Sequence, residues 1–128
     1  MKITCKRILI IDDDISHLLT AKEILESEGY TVNTHNQSFG SSVIARQLEP
    51  DLILLDINMP GLSGDRLAQI IGRNYHSSNV PILFYSSNDE DSLRKAVGQY
   101  SVYGVKDYIC KGDPHDLRKK VARCLSEN

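Results

Sequence analysis

Short apolar runs alternate along the chain with longer stretches in which apolar residues recur at helical spacing. The runs hold four or five residues each, and most of them lack polar alternation, which is typical of parallel strands buried on both faces. The second run is more mixed and predicts an edge strand. The five predicted strands are RILII (7–11), YTVNT (30–34), LILL (52–55), PILFY (81–85) and DYIC (107–110).

Five amphipathic segments lie between and after these strands. The last is the most clearly marked, because Asp113 suits an N-cap and Pro114 suits the first helical position. Its predicted buried face carries Leu117, Val121 and Leu125, and its predicted outer face carries Arg118, Lys119, Lys120 and Arg123. The other predicted helices cover residues 15–28, 40–49, 64–73 and 89–100, with inward positions that include Leu18, Val43, Leu67 and Leu93.

Five strands that alternate with five helices predict an α/β fold with a doubly wound parallel sheet, because right-handed crossovers place helices on both faces. We expect one domain over residues 1–128, with its core at about 6–126. Ligands of such sheets bind beyond the carboxyl ends of the strands, where the strand order reverses. Functional residues are therefore expected at the strand ends.

Composition is that of an ordinary globular protein, whereas the charge is unevenly distributed. Of 128 residues, 41% are apolar, and no apolar run approaches the roughly 20 residues of a membrane-spanning helix. The three cysteines are widely separated and lack metal-site spacing, which favours reduced thiols and a cytoplasmic location. Residues 1–92 carry 7 basic and 13 acidic side chains, and residues 93–128 carry 8 and 4. The basic end indicates either a solvated helix face or a docking surface for an acidic partner.

Acidic side chains follow the first and third predicted strands. Asp12, Asp13 and Asp14 end the first strand, and Asp56 ends the third. Like charges at about 4 Å repel by about 4 kcal/mol at an effective dielectric of about 20, so a cation is expected among them. Carboxylates, carbonyls and water are the ligands that Mg²⁺ and Mn²⁺ prefer. The sequence therefore predicts a Mg²⁺ or Mn²⁺ site at this edge of the sheet.

Asp56 is the candidate nucleophile of this edge. A carboxylate beside a divalent cation attacks a phosphoryl group to give an aspartyl phosphate. The turn-rich segment after Asp56 is predicted to direct the backbone carbonyl of Asn58 toward the ion. Ser86 follows the fourth strand and Lys111 the fifth, so a hydroxyl and an ammonium are expected to reach the phosphoryl oxygens. Phosphoryl transfer needs mainly positioning and charge neutralisation, which these groups supply.

The segments ILIIDDD, PDLILLDINMPGLSGD, PILFYSS and DYICK occur in this order and at suitable spacing. Through them the chain, from about residue 6 to residue 126, resembles the receiver domains of two-component response regulators. The resemblance implies a flavodoxin-like sheet with strand order 2-1-3-4-5. The implied site residues are Asp56 as phosphoacceptor, Asp12 and Asp13 as the acidic metal pair, Asn58 as a carbonyl ligand, Ser86 and Ser87 at the hydroxyl switch, Lys111 at the phosphoryl group and Tyr108 as the aromatic switch residue.

The resemblance also implies a signalling role rather than the turnover of a substrate. Such a domain takes a phosphoryl group from a histidine kinase or phosphotransfer protein in a Mg²⁺-dependent reaction and loses it slowly by self-catalysed hydrolysis. Phosphorylation switches the face built by the fourth helix, the fifth strand and the fifth helix. The expected partners of that face are a downstream protein target, an attached effector domain or a second copy of the chain. This domain itself is not expected to bind nucleic acid or a membrane.

Three features depart from the usual pattern of this family. Gly112 follows the lysine, where a proline is usual. The switch hydroxyl is Ser86 rather than threonine, and Ser87 replaces a small residue such as alanine. The segment from Ser86 to Gly104 is longer than usual, which predicts an atypical fourth helix or flanking loop.

Two other functions fit parts of the same sequence. The segment ILIIDDDIS also suits a haloacid-dehalogenase-type phosphatase, with Asp12 as nucleophile and Asp14 as general acid. Such enzymes need a further acidic strand end, and none follows Lys111. A receiver-like interaction module that is not phosphorylated is the other alternative, against which stands the complete set of site residues. Mapping of the phosphorylated aspartate separates the three hypotheses, since the label lies on Asp56, on Asp12 or on neither.

Overall fold

A computed structural model of the chain describes residues 5–59, 64–74 and 80–126, and at residues 64, 65 and 72–74 the backbone alone. The strands are β1 (Arg7–Ile11), β2 (Thr31–His35), β3 (Leu52–Leu55), β4 (Ile82–Ser86) and β5 (Val105–Cys110). The helices are α1 (Ile15–Ser27), α2 (Ser41–Leu48), α3 (Gly64–Asn74), α4 (Glu90–Tyr100) and α5 (Pro114–Ser126), with a 3₁₀ turn at Ser101–Tyr103. Most of the predicted turn after Asp56, at residues 60–63, lies outside the described residues. Within those residues, no helix combines the length and the apolar character needed to cross a bilayer.

The strands form one parallel sheet in the order β2-β1-β3-β4-β5. Strand β1 pairs with β2 on one side and with β3 on the other, so the strand order reverses at β1. Ile11 at the end of β1 lies opposite His35 of β2 and Leu55 of β3. The carboxyl ends of β1 and β3 therefore lie side by side at the switch point. The predicted α/β fold and strand order are confirmed.

Alternate residues of the strands build two apolar cores, one on each face of the sheet. In β1, Ile8 and Ile10 belong to the core with α1 and α5, whereas Leu9 and Ile11 belong to the core with α2 and α3. All four are at most 1% exposed. Full burial of such a side chain contributes about 1.5–3 kcal/mol. Burial on both faces explains why the central strands consist almost entirely of aliphatic residues.

Two predicted helix faces are wrong in detail. Val43 is predicted to face inward but is 51% exposed, because the short helix α2 buries Ser41 and Ala45 instead. Val43 lies between these two positions and thus on the opposite side of a helix with 3.6 residues per turn. Lys120 is predicted to lie on the outer face of α5, but its side chain is only 15% exposed. Its ammonium turns back toward β5 and donates to the carbonyl of Tyr108.

Strand β5 begins two residues before the predicted start. Val105 pairs with Ile82, and a register shift follows, so that Leu83 pairs with Asp107. The long segment before β5 is occupied by α4 and by the 3₁₀ turn at Ser101–Tyr103. Gly104 ends this turn at φ 101°, and a Cβ at this position would lie 3.2 Å from the carbonyl oxygen of Val80. The segment from Ser86 to Gly104 thus ends in a tight turn at the amino end of β5.

Gly112, which replaces the usual proline, lies in the left-handed region at φ 87°. Proline is excluded by this conformation because its ring fixes φ near about −65°. We expect Gly112→Ala to lower the free energy of unfolding by about 1 kcal/mol, because alanine is strained at this positive φ. A Cβ there meets no neighbour, so no steric clash adds to this cost. The matched control is Gly98→Ala within α4, which should raise stability by up to about 1 kcal/mol. Urea denaturation measures both, and equal effects of the two substitutions would contradict the backbone argument.

Candidate functional site

Four side chains meet at the carboxyl edge of the sheet because each follows or ends a parallel strand. Asp12 follows β1, Asp56 follows β3, Ser86 ends β4 and Lys111 follows β5. Backbone hydrogen bonds continue the ladder into these positions: the Asp56 N–H donates to the Ile11 carbonyl at 2.9 Å, and the Lys111 N–H donates to the Ser86 carbonyl at 2.9 Å. The sheet itself therefore fixes where these side chains lie.

Three carboxylates form a compact cluster at the switch point. Asp12, Asp13 and Asp56 each offer an oxygen within 4.8 Å of the other two. Asp12 is fully buried and Asp56 is 3% exposed, whereas Asp13 is exposed. Oxygen ligands at this spacing, with one side open to solvent, suit a hard divalent cation. The acidic cluster predicted from the strand ends is present among the described residues.

Lys111 is the cation that lies nearest to the buried carboxylates. Its Nζ lies 2.7 Å from Asp12 Oδ2 and 3.5 Å from Asp56 Oδ2, and its side chain is only 7% exposed. Asp12 Oδ2 has this ion pair but no directional hydrogen bond. The ammonium also lies 5.7 Å from the centroid of the Tyr85 ring. One lysine thus faces two buried carboxylates, which leaves the cluster negative and in need of a further positive charge.

The pKa of Asp56 reflects its burial and, to a lesser degree, the neighbouring negative charge. Burial, followed by the charge of Asp12, raises the pKa of Asp56 to about 7. A hydrogen bond from the Asn58 N–H and the charge of Lys111 act in the opposite direction. Burial and the charge of Asp12 likewise raise the pKa of Tyr85 to about 12. Asp56 is therefore partly protonated near neutral pH unless a cation joins the cluster.

A hydrogen-bond network joins the two loops on either side of Asp56. The Asn58 N–H donates to Asp56 Oδ1 at 3.1 Å. The Asn58 side-chain amide donates to the side-chain oxygen of Asn88 and, at 3.4 Å, to Ser86 Oγ. Ser86 is buried and its Oγ also accepts from the Asn88 N–H at 3.1 Å, while Ser87 is exposed. The side-chain bond between Asn58 and Asn88 was not predictable, since it depends on how two separate loops meet.

Asp14 and Tyr108 lie outside the carboxylate cluster. Asp14 is the N-cap of α1, where its Oδ1 accepts from the N–H groups of Ser16 and His17. The bonds from Ser16 and His17 lower the pKa of the Asp14 carboxyl. Tyr108 lies on β5, and its hydroxyl donates to Glu90 Oε1 at 3.0 Å. The bonds that Asp14 accepts as a helix cap account for this carboxylate without the general-acid role that the phosphatase alternative requires.

Comparison with known proteins identifies relatives of one kind. The model of the response regulator receiver domain family matches residues 8–122. The protein PilH of Pseudomonas aeruginosa is 30% identical over 121 residues, which are 94% of this chain and 98% of PilH. The DNA-binding dual master transcriptional regulator RpaA of Synechocystis is 33% identical over 119 residues, and MtrA of Mycobacterium tuberculosis is 31% identical over 124 residues. The chain spans 46% of RpaA and 52% of MtrA.

Two solved structures of receiver proteins are also similar to this chain. A CheY-like receiver domain protein from Methanospirillum hungatei superposes with a TM-score of 0.80 at 29% identity, over 97% of this chain and 96% of that one. The chemotaxis protein CheY4 of Vibrio cholerae, at 23% identity, shares the fold with a TM-score of 0.84 over 95% of this chain and all of that one. A phosphoacceptor role in two-component signalling is consistent with these findings, and the two alternatives are not favoured. The chain belongs to the family of response regulator receiver domains.

Proposed function

We propose that residues 6–126 act as one receiver domain in which Asp56 accepts a phosphoryl group from a histidine kinase or phosphotransfer protein. The observation that carries this proposal is the convergence of Asp12, Asp13 and Asp56 within 4.8 Å, with Lys111 Nζ at 3.5 Å from Asp56. A buried carboxylate with a neighbouring ammonium and room for a divalent cation is suited to attack on phosphorus. The domain is itself the acceptor of the phosphoryl group and does not turn over a substrate as an enzyme does.

Asp12, Asp13, Asp56 and the backbone carbonyl of Asn58 would hold Mg²⁺ or Mn²⁺. When bound, the ion supplies neutralisation of the charge on the carboxylates and on the incoming phosphoryl oxygens. The oxygen-only donor set fits this choice, since neither ion requires nitrogen or sulfur ligands. The spacing of the three carboxylates supports this ligand set, and the carbonyl of Asn58 is proposed as a further ligand.

Each remaining side chain has a defined chemical task. A carboxylate oxygen of Asp56 forms the bond to phosphorus, and the bond from phosphorus to the donor imidazole nitrogen breaks, with its electron pair left on that nitrogen. Lys111 pairs with the new phosphoryl oxygens, and the Ser86 hydroxyl donates to one of them. Ser87 lies exposed beside Ser86 at the rim. Slow attack of water on phosphorus breaks its bond to the Asp56 oxygen, which restores the carboxylate and releases inorganic phosphate.

The proposed output is a change in the face formed by α4, β5 and α5. Movement of Ser86 toward the phosphoryl group shifts the loop before α4, and the ring of Tyr108 turns inward. This face carries exposed basic residues, among them Arg94, Lys95, Lys106, Arg118 and Lys119. We propose an acidic surface of a downstream protein, an attached effector domain or a second copy of the chain as its partner, in the cytoplasm. Attached effectors are suggested by RpaA and MtrA, which are about twice as long as the matched segment.

The proposal is tested by incubating the protein with acetyl phosphate and measuring its intact mass. We expect addition of one phosphoryl group in the presence of Mg²⁺ and no addition in excess EDTA. The Asp56→Asn variant should not be modified. Its matched control is Asp51→Asn, which changes the carboxylate just before β3, at the opposite end of the strand from the site, and which should be modified normally. Undiminished addition in EDTA would overturn the proposal.

Magnesium should stabilise the protein, and more so at higher pH. The pKa of Asp56 is raised in the folded protein, so the folded state binds a proton more tightly than the unfolded state between about pH 4 and 7. Without metal, the free energy of unfolding should therefore fall as the pH rises through this window. Mg²⁺ binds the deprotonated carboxylates, so its effect on the melting temperature should be larger at about pH 8 than at about pH 5. Thermal denaturation at both pH values tests this, and an equal shift would contradict it.

A further inference from the structure

Tyr108 on the edge strand β5 is held by groups from two helices. Its hydroxyl donates to Glu90 Oε1 of α4 at 3.0 Å. The Lys120 ammonium of α5 lies 4.1 Å from the centroid of the ring and donates to the Tyr108 backbone carbonyl at 2.6 Å. A hydrogen bond with the Tyr108 hydroxyl also raises the pKa of the Arg94 guanidinium. One aromatic side chain thus links α4 and α5 across the edge of the sheet.

The contact with Lys120 is the stronger part of this arrangement. Its side chain is 15% exposed, and its Nζ also lies 3.4 Å from Asp116 Oδ2 and 3.6 Å from Asp107 Oδ1. These partners confine the ammonium to the face of the ring, and a cation–π contact gains strength as the cation loses water. The bond to Glu90 lies at the surface, where competition with water weakens it.

We propose that Lys120 is a positioning residue that, together with Glu90, holds the ring of Tyr108 in this orientation and thereby opposes the phosphorylated conformation. The inference rests on the proposed function, in which the ring turns inward after phosphorylation. To do so, the ring has to leave the Lys120 ammonium, and its hydroxyl has to leave Glu90. A contact made only in one of two conformations shifts the equilibrium toward it and weakens any ligand that needs the other.

The test is the affinity for beryllofluoride, a mimic of the phosphoryl group, measured by titration in the presence of Mg²⁺. We expect Lys120→Met to bind it about fivefold more tightly than the unaltered protein, because the cation that favours the observed ring orientation is lost. Lys120→Arg keeps the charge and should bind as the unaltered protein does. The matched control is Arg123→Met, which removes an exposed cation on the same helix and should leave the affinity unchanged.

A purely structural role of Lys120 would predict weaker or unchanged binding in Lys120→Met, and either result overturns the proposal. The gain should also vanish in a Tyr108→Ala background, since no ring remains to be held. If Lys120→Met fails to fold, Glu90→Ala, which removes the acceptor of the Tyr108 hydroxyl, is the second test: tighter binding supports the proposal and unaltered binding overturns it. Normal binding by the unaltered protein without a gain in the variants refutes this inference alone. Failure of the unaltered protein to bind beryllofluoride refutes the proposed function as well.

Discussion

Replacement of Lys111 by methionine is expected to destabilise the metal-free protein by about 3–5 kcal/mol at about pH 8. The methionine fills similar space but leaves Asp12 and Asp56 buried together without the ammonium that now lies 2.7 Å and 3.5 Å from them. The loss should shrink as the pH falls, because protonation of Asp56, whose pKa is no longer lowered by the Lys111 charge, removes one of the two charges. Mg²⁺ should restore much of the stability by supplying the missing positive charge.

Urea denaturation of Lys111→Met with and without Mg²⁺, at about pH 5 and about pH 8, measures all three effects. Lys119→Met serves as the control, because that lysine is exposed on α5 and its loss should change stability by less than about 0.5 kcal/mol. A loss in Lys111→Met that is independent of pH and of Mg²⁺ would indicate that the lysine contributes by packing rather than by neutralising the carboxylates.

The Asp56→Asn substitution should stabilise the metal-free protein and abolish phosphoryl uptake. The raised pKa of Asp56 means that its charged form is unfavourable in the fold, so a neutral amide of the same shape should raise the free energy of unfolding by at least about 1 kcal/mol at about pH 8. The gain should disappear below about pH 4, where the carboxyl is protonated in both states. The amide cannot accept the phosphoryl group, so uptake from acetyl phosphate should fall to background.

Stability and uptake are measured on the same Asp56→Asn preparation by urea denaturation and intact mass. A functional residue that destabilises the fold is expected to show this opposition between stability and activity. If Asp56→Asn is less stable than the unaltered protein at about pH 8, the charged carboxylate is better accommodated than the buried cluster indicates.

The sheet and the side chains at its carboxyl edge were predictable because each depends on a local pattern. The aliphatic runs define the parallel strands, and the residue after each run is placed by the sheet ladder, as the hydrogen bond from the Asp56 N–H to the Ile11 carbonyl illustrates. Side chains fixed by strand ends, namely Asp12, Asp56, Ser86 and Lys111, therefore meet where the sequence predicts. The helix start at Pro114 was predictable for the same reason, since its cap and first turn are adjacent in sequence.

Contacts that depend on long side chains or on two loops were not predictable. Helical periodicity places Lys120 on the outside, yet its flexible stem lets the ammonium reach back to Tyr108. Val43 is apolar but exposed, because α2 buries Ser41 and Ala45 and Val43 lies on the opposite side of the helix. The bond between Asn58 and Asn88 joins loops 30 positions apart. The sequence did not distinguish a helix cap from a general acid at Asp14, whose carboxylate accepts from the N–H groups of Ser16 and His17.

The central claim is that Asp56 itself carries the phosphoryl group, and mapping of the modified residue tests it most directly. After incubation with acetyl phosphate and Mg²⁺, reduction with borohydride converts an aspartyl phosphate into homoserine, which marks the site for peptide mass analysis. We expect homoserine at position 56 and unaltered aspartate at positions 12 and 13. Homoserine at position 12, or at none of the three after the phosphoryl group has been detected by intact mass, would contradict it.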